Sequence, residues 1–355
     1  MARLVPAICF LSILISTRAP NCAYAQASSP VATSAQTVVL PLELIANQPA
    51  TLAVLSADGH VVPGAKLVLS SGQTVTTDES GRAHFLAPPD PGVLYVRTPD
   101  SETRAVTDVL AAKAAASANK ISAPSLVALK NPFSIRGNGF YGDADHNSVE
   151  IVGQPAFVLA ASPVELIVLA PPEITSGITA LVVKSATSDV PLKMTLVNVA
   201  SDANMLQVKP GKKIQLSLHV NGTSQAIDLR VMNSSPQIAQ FKLKPNRTLK
   251  TSGGSNNSAT LEVKGLRAGQ FSFRVELALP HGTPDVIAAR DFLNAAQKIA
   301  PEDQRHSIAG ILKQLRPHAV HVANARKKLE KLSTASDSGD ALVLLEAGRR
   351  ALFGD

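Results

Sequence analysis

The chain has 355 residues, a formal net charge of +7, two cysteines, three tyrosines and no tryptophan. That length accommodates two or three domains of ordinary size. The modest positive charge favours acidic surfaces weakly and does not imply nucleic acid; both cysteines, Cys9 and Cys22, fall within the first 25 residues, so the rest holds no disulfide, thiolate metal site or cysteine nucleophile.

Residues 1–25 read as a signal peptide. Arg3 supplies the positive start, residues 4–15 an apolar run, and Ala23, Tyr24 and Ala25 a small-x-small cleavage site. The run is too short and interrupted for a good membrane span. Ala19, Pro20 and Asn21 fit a lipid-anchor motif before Cys22 poorly. Cleavage after Ala25 and export are expected, and a mature chain without cysteine suggests a bacterial origin. No transmembrane segment is expected in the mature chain. Residues 26–36, rich in Ala, Ser and Thr, read as a flexible leader.

Residues 37–99 alternate as strands. Val38, Leu40, Leu42 and Leu44 share one parity, followed by Leu52 and Val54. Asp58 and Gly59 supply hairpin chemistry. Leu67, Leu69, Val75, Phe85 and Leu94 continue the strand pattern. Val62, Pro63, Gly64 and Ala65, with Thr77, Asp78, Gly81, Arg82, Phe85, Gly92 and Tyr95, resemble a carboxypeptidase regulatory-like or bacterial Ig-like domain. Either family implies a structural β-sandwich without catalysis. Residues 100–123 form an alanine-rich linker, within which residues 106–118 are expected to be a short helical or semi-rigid connector.

Residues 124–200 carry the clearest rhythm of short apolar runs and turn residues. Phe133 and Ile135 face one way, and Val149 with Ile151 and Leu166 with Val168 form further inward pairs. Gly137, Gly139 and Gly142 suit sharp turning through positive φ. Phe133 to Phe140, reading FSIRGNGF, then Asn147, Ser148 and Val149, then Ala161, Ser162 and Pro163 resemble an IPT/TIG domain. That resemblance implies an immunoglobulin-like fold and a spacer or binding role more than an activity.

Residues 201–280 read as a third Ig-like sandwich, with alternation at Ile214, Leu216 and Leu218, at Ile227, Leu229 and Val231, and at Phe271, Phe273 and Val275. Residues 251–258 are a polar loop, and residues 259–278 are expected to form a closing hairpin. From residue 283 the period becomes helical, with Thr283, Pro284 and Asp285 as a start signal. Residues 283–355 form a helical tail interrupted at Pro301, Pro317 and Gly339.

No residue here looks like a reaction centre: hydrolase, zinc-protease and phosphate-loop motifs are missing. No catalytic, cofactor-binding or metal-ligating residue is assigned. His318 and His321 are placed on a helix at a spacing that could begin a metal site, yet lack an acid within reach. Asp143, Asp145 and Asn147 place oxygen ligands at alternate positions, but the surrounding loop departs from a calcium-binding pattern. Tyr95 and Tyr141 alone among the mature tyrosines give little aromatic platform for sugars or bases. Lys313, Arg316, Arg326, Lys327, Lys328 and Lys331 make the tail locally basic, as a solvated face or a contact for an acidic surface.

The expectation is therefore a mostly β protein: tandem immunoglobulin-like β-sandwiches followed by a C-terminal α-helical tail. Its function is expected to be non-catalytic interaction or scaffolding in the periplasm, at the cell surface or outside the cell. A protein or envelope-polymer partner is expected, with no nucleic acid and no cofactor. The alternatives are an accessory subunit that positions an envelope enzyme and a calcium-stabilised adhesin.

Overall fold

A computed structural model describes residues 36–56, 59–99, 103–112, 120–184, 189–202, 206–223, 227–233, 237–244, 248–249, 257–269, 271, 273–278, 284–316, 319–335 and 339–354. The signal segment, residues 26–35 of the leader and residues 251–256 of the polar loop lie outside them. The protein is mostly β, with immunoglobulin-like sandwiches in tandem and a C-terminal helical bundle.

The first sandwich packs two sheets around Leu44, Leu52, Leu67, Leu69, Phe85 and Val96. One sheet is ordered Glu43–Ile45, Thr103–Leu110, Gly92–Arg97, Lys66–Leu69, Thr74–Thr76. Its strands use both faces. In Gly92–Arg97, Leu94 and Val96 enter the sandwich core, while Val93 and Tyr95 pack on the opposite side against the helical bundle. The other sheet joins Thr37–Val39, Pro49–Leu55 and Arg82–Leu86 to strands Phe157–Ser162, Glu165–Leu169 and Phe133–Arg136 of the central stretch. Ala161 lies opposite Thr51 at that seam. The expected inward pair Leu166 and Val168 is buried, and so is Ile167 on the other face. Ile167 packs with Leu159, Ala160, Val39, Ala53 and Leu55 in a small core across the seam.

Asp189–Ser201 extends across residue 200 and joins the next two sandwiches. Its first part pairs with Gly177–Lys184 and its last residues with Lys213–Asn221. Leu126–Ala128 runs parallel beside it, and alternation sends Val127 into the central core and Leu126 into the third. Ile135, Ile151, Leu166, Leu181 and Leu196 fill the central core. Leu216, Leu218, Leu229, Leu261 and Val263 fill the third.

Three expectations require correction here. Residues 106–110 are not helical but end the strand Thr103–Leu110, which pairs with both Gly92–Arg97 and Glu43–Ile45. Its β-branched Val106, Thr107 and Val109 fit a pleated surface between two neighbours, which outweighs the alanines that follow. Residues 113–119 lie outside the described residues. The closing hairpin does not form: Asn257–Gly265 pairs with Lys213–Asn221 and Ala239–Lys244, whereas Phe273–Ala278 pairs with Ile227–Asn233 in the facing sheet. Gly269, at φ +153°, lies on the crossing between them. Of Gly137, Gly139 and Gly142, only Gly139 has positive φ, at +85°. Gly142 is small for another reason: a Cβ there would stand 1.7 Å from the Pro49 carbonyl oxygen.

The tail contains α1 (Val286–Ile299), α2 (Glu302–Leu312), α3 (Val322–Ala335) and α4 (Asp340–Phe353). Asp285 caps α1 by accepting from the Ala288 N–H at 2.9 Å. A short hairpin pairs Leu315–Arg316 with Ala319–Val320. The expectation of a helix carrying His318 and His321 is therefore wrong, because the intervening pair is extended; His318 itself lies outside the described residues. The bundle closes on the first sandwich. Leu42 and Val106 share a buried core with Ala288, Phe292, Leu293, Leu345 and Leu352. Ala35–Asp355 form one compact unit.

Candidate functional site

The most unusual chemistry lies where the bundle meets the β-body. Glu43 and Asp108 are register partners on adjacent parallel strands. Asp108 shares its strand parity with Val106, so it points towards the helices and away from the Val109 side. Across from them, α1 presents Asp285 at its cap and Asp291 nearly two turns further in. The Glu43 carboxyl bonds to that of Asp285, and the Asp108 carboxyl to that of Asp291. Two carboxyls can hydrogen-bond only when one carries a proton.

The Glu165 carboxylate, 1% exposed, completes the junction. Its Oε2 accepts from the Leu42 N–H at 2.5 Å and the Glu43 N–H at 3.4 Å, and its Oε1 accepts from Arg136 Nε at 3.5 Å. One carboxylate thereby ties the first sandwich to the central one. Burial works against the Arg136 charge, but Glu165, Glu43 and Asp285 outweigh it and hold its pKa above the usual range.

Burial is the main cause that pushes Glu43 up to about 9, reinforced by the Asp285 hydrogen bond and charge and by Glu165, and opposed by Arg136. Burial also leads for Asp108, followed by the charges of Asp291 and Asp285, and takes it to about 7. Asp291 is raised by burial, with Arg290 and the Asp108 bond acting in the opposite direction. Asp108 is 2% exposed, and its Oδ2 has no hydrogen-bond partner among the described residues. Carboxyls with separated proton affinities are also what acid–base catalysis uses. These carboxyls lie beneath the bundle, and none lines either of the clefts described below.

Two ion-pair sets fasten the bundle to the β-body, one through Arg97 of the first sandwich and one through Arg230 on the strand Ile227–Asn233 of the third. Arg97 Nη2 donates to Asp340 Oδ2 at 3.0 Å. Arg230 grips both Glu346 oxygens at 3.1 and 2.7 Å, and Arg349 Nε donates to Glu346 Oε1 at 2.9 Å. Burial opposes the Glu346 charge, yet Arg349 and Arg230 hold its carboxyl below the usual range.

The loop at Asp143 is a second junction. Thr51 Oγ1 donates to the Gly142 carbonyl at 2.7 Å and accepts from the Ala144 N–H at 3.1 Å. Asp143 caps the single turn Ala144–His146, accepting from the Asp145 N–H at 3.0 Å. The ligand atoms of His84, Asp143 and Asp145 lie within 4.8 Å of one another. Arg82 already occupies Asp145, Nη2 to Oδ1 at 2.5 Å, and Asn147 bonds to Tyr141 and Asp143. The oxygen ligands considered for calcium are thus engaged within the protein, and the nearby imidazole suits a transition metal better than calcium.

Two clefts open on the surface among the described residues. A groove of about 500 Å³ is lined by His60, Val61, Pro155, Phe157 and Pro171, with the Arg82 guanidinium 5.0 Å from the Phe157 ring centroid. A polar cleft of about 320 Å³ is lined by Gln314, Asn324, Lys327, Lys328 and Lys331. Of the basic residues singled out in the tail, these three lysines converge. Arg326 does not: its Nε donates to the Leu352 carbonyl at 2.8 Å and its guanidinium lies over Phe353.

Sequence reasoning did not single out the junction carboxyls. Glu43, between Leu42 and Leu44, reads as the solvent side of a half-buried strand. The available signal was an acid inside strands buried on both faces, as in Glu165 within VELIVL and Asp108 within VTDVL.

No protein-family model matches the chain. No curated protein matches it. Among solved structures, it is similar to SGBP-B of the Bacteroides ovatus mixed-linkage glucan utilization locus, in complex with a mixed-linkage heptasaccharide. The identity is 12%, over 66% of this chain and 70% of that one, with a TM-score of 0.27. It is also similar to domains 4 and 5 of the S-layer protein SbsC, at 14% identity over 46% of this chain and 94% of that one, TM-score 0.19. A third likeness is to the N-terminal four Ig domains of Dscam1, at 11% identity over 69% of this chain and 72% of that one, TM-score 0.20. The immunoglobulin-like reading rests on the sheets and cores of the chain itself.

Proposed function

We propose that the chain is a non-catalytic, exported interaction or scaffold protein of the bacterial cell envelope. Its modules are the first sandwich, which takes in the strand Thr103–Leu110, and residues 124–200 and 201–280, and residues 124–200 are an IPT/TIG-type spacer. The observation that carries this reading is the way the modules are joined. Sheets continue across the sequence seams, the helical bundle closes on the first sandwich, and carboxyl chemistry is spent inside the joints. Such a body holds its surfaces at fixed spacing. The surface that best suits a partner is the lysine cleft on α3, and the matching partner is an acidic protein or envelope polymer.

Pull-down from envelope extract with the mature chain tests the reading, with a variant carrying Lys327→Glu and Lys328→Glu as comparison. Deleting the tail is a poor comparison, because it would expose Leu42 and Val106. Reproducible capture that the charge reversal abolishes supports the proposal. Hydrolytic turnover by the purified chain, abolished by one His or Asp change, overturns it.

A cation-stabilised adhesin is a second reading, favoured by the convergence of His84, Asp143 and Asp145. Melting temperatures that do not change with calcium, zinc or a chelator remove it.

A further inference from the structure

We propose that the carboxyl pairs Glu43–Asp285 and Asp108–Asp291 form a proton-operated latch, which fastens the helical bundle to the first sandwich and slackens as the medium becomes alkaline. The geometry has three parts. Both pairs bridge the same two elements, a β-sheet face and α1. Each pair holds together only while it keeps a proton. Asp108 Oδ2 is buried and has no hydrogen-bond partner among the described residues, so a second negative charge there is poorly accommodated.

The surrounding charges do not relieve the excess. Glu165 adds another carboxylate, and Arg136 is already engaged by it. Arg290 on α1 acts on Asp291. On the strand Gly92–Arg97 and on α4, Arg97 is paired with Asp340, and Glu346 is held by Arg230 and Arg349. Those ion pairs persist as the carboxyl pairs ionise, so the bundle loosens along α1.

The sign follows from the direction of the shifts. A carboxyl whose folded pKa is raised contributes stability that is present below its ordinary value and lost as pH climbs through the folded value. For Asp108 the loss runs from 3.8 to about 7, and for Glu43 from 4.5 to about 9. Alkaline medium therefore weakens the joint and mild acid secures it.

The test uses the full mature chain, with hydrogen exchange of α1 corrected for intrinsic pH dependence against the strand Lys213–Asn221. Protection of α1 relative to that strand is expected to fall at least about tenfold between pH 6 and pH 9, the equivalent of one pKa unit. Glu43→Gln combined with Asp108→Asn, whose amides donate at every pH, should remove most of that fall. If that variant does not fold, Asp285→Asn combined with Asp291→Asn carries the same comparison. Equal pH dependence in wild type and variant overturns the latch. Restored α1 protection at pH 9 on adding calcium also overturns it, because a cation and not a proton would then be the missing partner.

Discussion

Leu42 precedes the strand Glu43–Ile45 in sequence, yet its side chain belongs to the core of the helical bundle, where it is 1% exposed among residues including Phe292 and Leu352. Leu42→Ala therefore removes a buried isobutyl group from a core formed mainly by residues near the other end of the chain. Truncations of this kind cost about 2–5 kcal/mol, the lost transfer energy plus the cavity. At roughly 2–4 °C per kcal/mol for a body of this size, the melting temperature should fall by about 5–15 °C. The Leu42 N–H still bonds to Glu165 in the variant, so the side chain alone is tested. Thermal denaturation followed by circular dichroism gives the overall shift, and hydrogen exchange locates it in α1 and α4. Leu86→Ala, at a position 54% exposed, is the control and should change little. Wild-type protection of α1 and α4 in Leu42→Ala would refute the packing argument.

Gly142→Ala places a methyl group against the Pro49 carbonyl and should cost about 3 kcal/mol or more, seen as a lower urea midpoint. Glu346→Gln loses charge-assisted bonds to Arg230 and Arg349 and should cost about 1–3 kcal/mol near neutral pH, discounted for its partial exposure. Because the Glu346 pKa is lowered, its contribution is present above the ordinary carboxylate range and lost as pH falls through the folded value, so the wild-type advantage should shrink in melts taken below about pH 4. Lys327→Glu with Lys328→Glu should leave the melting temperature nearly unchanged, within about 0.5 kcal/mol, while abolishing capture of an acidic partner in the pull-down.

Local patterns were readable where neighbours in sequence are neighbours in structure. The alternation at Val149 and Ile151 and at Leu216 and Leu218 places those residues in cores. The helix start expected at Thr283, Pro284 and Asp285 falls where α1 begins, with Asp285 as the cap in place of the expected Thr283 hydroxyl. What escaped is non-local. Thr103–Leu110 was obscured by the alanines after it, and it is a strand because two others flank it. The stretch 259–278 has hairpin rhythm, but each strand finds its partner in a different sheet. The carboxyl junction draws on residues from separate parts of the chain, each ordinary in its own window, and only folding brings Glu43, Asp108, Glu165, Asp285 and Asp291 together. Thr51 and Gly142 likewise meet only across the seam of a shared sheet.

The central claim is that the helical bundle and the first sandwich are one folded body. Native-state hydrogen exchange of the full mature chain at pH 6, across rising urea, tests it most directly. The account predicts that α1, α4 and the strand Thr103–Leu110 lose protection together, with a common opening free energy. Loss of protection in α1 and α4 at markedly lower urea, with Thr103–Leu110 still protected, would contradict it.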